Sequence, residues 1–84
     1  MLKLYSIKDT KGAFGAPFLA QNDALAVRSV KTYINGQKGS PEALYPEDFE
    51  LWCVGSFDDY TGIIAPAELV CVCRLAALKD EDAR

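Results

Sequence analysis

Apolar and polar side chains alternate through Leu2-Lys3-Leu4-Tyr5-Ser6-Ile7, the period of two that marks a strand. The alternation stops at Lys8. From there to Pro17, Asp9, Gly12, Gly15 and the proline read as a loop. Phe18 and Leu19 then lead into a helix start, where Asn22 and Asp23 are both good N-cap residues because a short side-chain oxygen can accept a free N–H of the first turn. Ala26, Val27, Val30, Tyr33 and Ile34 recur at spacings of three and four, which predicts a helix over 24–34 with one buried stripe. Arg28, Lys31, Thr32 and Asn35 point the other way, and Gly36 suits a left-handed residue that ends the helix. Residues 37–48 read as a long loop in which Pro41 and Pro46 prevent regular structure.

Phe49 to Phe57 is the clearest strand. Strict alternation places Phe49, Leu51, Cys53 and Phe57 on one face and Glu50, Trp52, Val54 and Ser56 on the other. Asp58 to Gly62 is a turn, with an aspartate to cap it and a glycine to allow positive φ. Ile63 and Ile64 begin a return strand that Pro66 interrupts. Residues 68–75 suit a further strand, although a helix over 67–79 is also open. The pattern thus predicts an α+β fold: one helix packed on a small antiparallel or mixed sheet, in the order β-α-β-β, with residues 68–75 as the candidate fourth strand. Residues 1–78 make a single α+β domain and residues 79–84 a charged, frayed tail.

The chain has 84 residues, half of them apolar or aromatic and a quarter charged, the balance of one globular domain. At this length only roughly 60% of the unfolded surface is buried, so the core is thin. No window is long and apolar enough to span a membrane, and the first residues do not resemble a secretion signal. Cys53, Cys71 and Cys73 are odd in number, which with no signal segment argues for reduced thiols in a reducing compartment. With no histidine and no C-x-x-C pair, a structural zinc site is not expected, and neither is a cofactor.

The chain contains no histidine, so mechanisms that rely on imidazole are excluded. Neither the phosphate-loop pattern nor G-x-G-x-x-G occurs. Asp58 and Asp59 read as turn formers, and Glu47, Asp48 and Glu50 as a solvated edge, so no enzymatic activity is expected. Charge is distributed unevenly. Residues 1–38 carry six Lys or Arg against two Asp, whereas residues 39–84 carry three against ten acids, within a net charge of −3. Such skew points weakly to nucleic acid. If Leu4 and Leu51 face the helix, Tyr5 and Trp52 face outward with Lys3 and Arg74, and aromatics beside cations on a sheet can stack bases. The same face would also hold Ile7, Val54, Val70 and Val72, and an apolar sheet face of that kind is usually an interface, so it also suits a homodimer.

Three stretches carry a family resemblance. They are Lys3-Leu4-Tyr5-Ser6-Ile7-Lys8-Asp9; Pro17-Phe18-Leu19-Ala20 followed by Asp23, Ala26 and Arg28; and Tyr45 to Gly62, whose P-E-D-F-x-L-x-x-x-G-x-F-D-x-x-T-G run is the most specific. Together they resemble the small non-structural protein of gokushovirus-like microviruses, which are single-stranded-DNA phages. The resemblance covers about residues 2–64. It implies a DNA-binding protein of the host cytoplasm that acts in the switch from double-stranded replication to single-stranded genome synthesis. The residues expected to touch single-stranded DNA are Lys3, Tyr5, Lys8, Lys11, Arg28, Lys31, Trp52 and Arg74. The other expectation is a protein–protein adaptor that recruits a replication or host protein without touching DNA.

Overall fold

A computed structural model describes residues 1–80. Its first strand, β1 (Leu2–Asp9), ends in a turn built by Asp9, whose carboxylate accepts from the Lys11 N–H (2.9 Å) and whose carbonyl accepts from Gly12 N–H (2.9 Å). The chain then runs back along β1. Lys8 bridges to Phe14, Gly15 N–H donates to the Ile7 carbonyl (2.8 Å), and β2 (Phe18–Ala20) pairs Phe18 with Tyr5 and Ala20 with Lys3. A three-residue strand is too short to display alternation, and Gly15 and Pro17 disguise the return arm as a loop.

Helix α1 (Asp23–Gly36) starts as its sequence predicts. The Asn22 side chain accepts from Leu25 N–H at 2.9 Å, and Ala26, Val30 and Ile34 are buried, with Val27 packed beside them. Tyr33 lies at the margin of this stripe, with 42% of its surface exposed. Gly36 stays in the helix; the one glycine at positive φ is Gly62, at 79°, in the turn after Phe57. Pro41 and Pro46 do not exclude regular structure. Each opens a short helix: α2 (Pro41–Leu44), capped by Ser40, and a 3-10 turn at Pro46–Asp48. Proline is tolerated there because its missing N–H would have no partner in a first turn.

Two long strands, β3 (Phe49–Phe57) and β4 (Ile64–Arg74), complete an antiparallel sheet of order β2-β1-β3-β4. Counting the main helix alone, the element order is β-β-α-β-β, the expected β-α-β-β arrangement with its fourth strand placed before the helix. The fourth strand is Phe18–Ala20, while residues 64–74 form one strand that continues past Pro66. Residues 75–78 form a 3-10 turn rather than a longer helix, with Leu75 fully buried. The start of the expected tail is tied down: Lys79 Nζ donates to the Ala43 carbonyl (2.8 Å) and Asp80 N–H to the Asn35 side chain (2.9 Å). The remainder of that tail, 81–84, lies outside the described residues.

The face assignment also differs from strict alternation. Tyr5 pairs with Cys53 and Leu4 with Gly55, which leaves Val54 as an extra residue in β3. This bulge flips everything after it. The register, with Ile7 opposite Leu51, puts Leu51 and Tyr5 together in the helix-facing core, both with no exposed surface, and leaves Leu4 on the opposite face, where the bulge brings Phe57 as well. Ile7 and Val72 also pack against the core rather than on the outer face. Gly55 allows the bulge, because a Cβ there would stand 2.6 Å from the Ala65 carbonyl oxygen of β4.

Gly55→Ala should therefore cost about 2–3 kcal/mol of stability, read as a lower urea midpoint, because the obstacle is backbone and cannot rotate away. Gly36→Ala is the counter-case. It lies in α1 with open space around it and should stabilise by about 0.5–1 kcal/mol in the same titration.

Candidate nucleic-acid interface

With α1 covering one side of the sheet, the other side is open, and β1 and β3 determine what it displays. Paired residues of adjacent strands project together, so Lys8, Glu50 and Arg74 form one row across β1, β3 and β4, and Ser6, Trp52 and Cys71 form the next. The return arm adds an aromatic to these rows. Ser6 is buried, and its hydroxyl donates to the Gly15 carbonyl at 2.8 Å, which fixes the arm against β1 and sets Phe14 edge-on to Trp52 with ring centroids 6.1 Å apart. The Lys8 ammonium stands over both rings, 5.4 Å from Phe14 and 5.7 Å from Trp52, within the range of cation–π attraction. Trp52 Nε1–H donates to Glu50 at 3.0 Å, and Arg74 donates to the Glu47 carbonyl at 3.2 Å.

This cluster unites Lys8, Trp52 and Arg74 of the residues expected from sequence. The others lie elsewhere. Tyr5 is in the core: its hydroxyl donates to Asp23 at 2.6 Å and its ring stacks on Phe18, so it presents no face to a base. Burial first, then the hydrogen bond to Asp23 and its negative charge, hold the Tyr5 hydroxyl's pKa well above the ordinary phenol value. Lys3 is on the helix side of β1, 3.9 Å from Asp23. Lys11 sits in the β1–β2 turn, 4.0 Å from Asp48. Arg28 and Lys31 lie on the exposed side of α1, across the sheet from Trp52, with Lys31 4.0 Å from Asp80. The eight residues thus do not make one surface. Phe14, 41% exposed, was missed by sequence reasoning; its signal is an aromatic between Gly12 and Gly15 in a segment with no other large apolar side chain.

The open face can stack planar groups on two rings and offer two cations to phosphates, with Glu50 opposing them. The three cysteines are free thiols, and among the described residues no group of three acidic or sulfur ligands could hold a metal ion. No helix among the described residues is long and apolar enough to cross a membrane.

A four-stranded antiparallel sheet with one main helix covering one side and an aromatic cluster on the other makes this a small α+β fold. The chain belongs to the Phage ORF5 protein family, whose model matches residues 2–78. It is therefore a phage protein. No curated protein and no solved structure matches it.

Cys71, exposed beside Trp52, should be the first thiol to react with an aromatic disulfide reagent, ahead of Cys53 and Cys73, and unfolding should raise the count to three. Desolvation and the nearby Glu50 raise its pKa above the usual thiol value, so alkylation should keep accelerating past pH 9, because the thiolate is the reactive form.

Proposed function

We propose that the chain is a non-enzymatic accessory protein of phage DNA replication. In this reading it binds single-stranded DNA weakly on the open sheet face, in the host cytoplasm, during the switch to single-stranded genome synthesis. A microvirus of the gokushovirus type is the proposed source. The observation that carries the reading is the Lys8–Phe14–Trp52 cluster: two aromatic rings and a cation held together on an uncovered sheet, where stacking and phosphate contact are both available. The overall negative charge does not oppose this strongly, since at about 0.15 M salt charges more than about 8 Å apart are largely screened.

Trp52→Ala or Phe14→Ala should weaken binding of a thymidine oligonucleotide at low salt by roughly fivefold to a hundredfold, the range of about 1–3 kcal/mol per stacked base, with the salt slope unchanged. Replacing Lys8 or Arg74 with Gln should instead flatten that slope by about 0.7 each. Arg28 and Lys31 form a separate positive strip on the far side, and the double alanine variant tests whether a strand wraps onto it. If the parent protein binds no DNA at low salt, the adaptor reading replaces this one.

We also propose a homodimer. The edge strand β4 and the turn before it expose Ile63, Ile64, Leu69 and Val70, each more than half accessible. An apolar sheet edge of this length is a pairing surface for a second copy. Light scattering at micromolar concentration should return twice the 9.2 kDa chain mass, and a monomer at high concentration would overturn the proposal.

A further inference from the structure

On the helix side, away from Trp52, a half-open cleft of about 300 Å³ lies between the return arm, α1 and α2. Ile7, Phe18 and Val30 form its apolar floor, and Ser29, Tyr33 and Glu42 form its rim. The Tyr33 hydroxyl donates to one Glu42 oxygen at 3.3 Å, and no Lys or Arg of the described residues is within ion-pair distance of that carboxylate. The volume is at the lower end of ligand-binding cavities and takes one ring-sized or branched apolar group.

The charge of the rim selects the kind of occupant. No cation lines the cleft, so a phosphate-bearing ligand would find no partner there and would face Glu42. An apolar group with an ammonium or guanidinium beside it gains both contacts. We propose that this cleft is the docking site for a basic, hydrophobic peptide segment of a partner protein: an apolar side chain seats on Ile7, Phe18 and Val30, and the neighbouring cation pairs with Glu42. This interaction surface is separate from the open sheet face and does not depend on DNA binding there.

Indole probes of opposite charge test it. Tryptamine, added at millimolar concentration to the labelled protein, should shift the amide resonances of Gly15, Ala16, Ser29 and Val30. Indole-3-acetate, with the same ring and an anionic tail, should bind about fivefold more weakly, the scale of a half-exposed ion pair gained against one repelled. Glu42→Gln should bring the two affinities together without lowering the melting temperature. Ala16→Leu, at an exposed arm position, should fill the cleft and abolish both. Acetyl-Trp-Lys-amide should behave like tryptamine and outbind acetyl-Trp-Glu-amide. Equal affinity for the two charged probes, no shift at millimolar tryptamine, or shifts centred on Trp52 would each overturn the proposal. So would an oligonucleotide that shifted the cleft resonances, since the cleft would then belong to the nucleic-acid surface. Loss of DNA binding with the tryptamine preference intact would count against the sheet-face reading alone.

Discussion

How β3 divides its side chains between the two faces of the sheet depends on a close approach between two backbones. At Gly55 the β3 chain passes so near the Ala65 carbonyl of β4 that no side chain fits between them. The extra residue beside it, Val54, lets β3 change which side of the sheet its next residues occupy. Without that shift, Phe57 would join Leu51 in the core and the Leu2–Leu4 side would lose its aromatic neighbour. With it, Phe57 joins Leu2, Leu4 and Trp52 on the side opposite Tyr5, Leu51 and Phe49. Both sides of the sheet thereby hold large apolar groups, yet one helix can cover only one of them.

The covered side is fixed by a polar contact as well as by packing. The Tyr5 hydroxyl reaches Asp23 in the first turn of α1, so the position of the helix along β1 is set at its N-terminal end. Asp23 also suits the positive end of the helix dipole and lies near Lys3. At the other end, Asn35 bonds both the Leu78 carbonyl and the Asp80 N–H, which closes the C-terminal segment against the helix. A thin core, eight buried apolar residues among those described, is held in register by these two polar ties, one at each end of α1.

Much of this was legible in the sequence where a single local cause decides the structure. Asn22 caps α1, the three-and-four spacing marks the buried stripe, and Gly62 takes the positive φ of its turn; each follows from one residue's chemistry. The features that were not legible depend on partners distant in the chain. The short strand Phe18–Ala20 exists because β1 offers it an edge. The bulge at Val54 exists because β4 crowds Gly55. Trp52 is on the open face as alternation predicts, but placing Tyr5 there assumes that Leu4 and Leu51 point the same way, which the β1–β3 register makes false: Ile7 stands opposite Leu51, so Tyr5 and Leu51 share the helix side. The prolines misled for a different reason: their effect reverses between the interior of a helix and its first turn, and sequence alone did not say which applied at Pro41 and Pro46.

The order of charges across the sheet limits what the open face can do. Lys8 and Arg74 flank Glu50 in one row, so the cations come as two separated points with a carboxylate between them rather than as a continuous stripe. Affinity for phosphate rises with the number of neutralised charges, and two points give only weak attraction. Stacking is not subject to that limit, because it depends on ring faces and not on charge. Lys8 spends part of its field on Phe14 and Trp52, which keeps the rings and the cation together and makes them one contact instead of three. On the proposed DNA-binding reading, a surface built this way would favour a flexible strand, whose bases can turn to meet two rings, over a rigid duplex, whose bases are already stacked on one another.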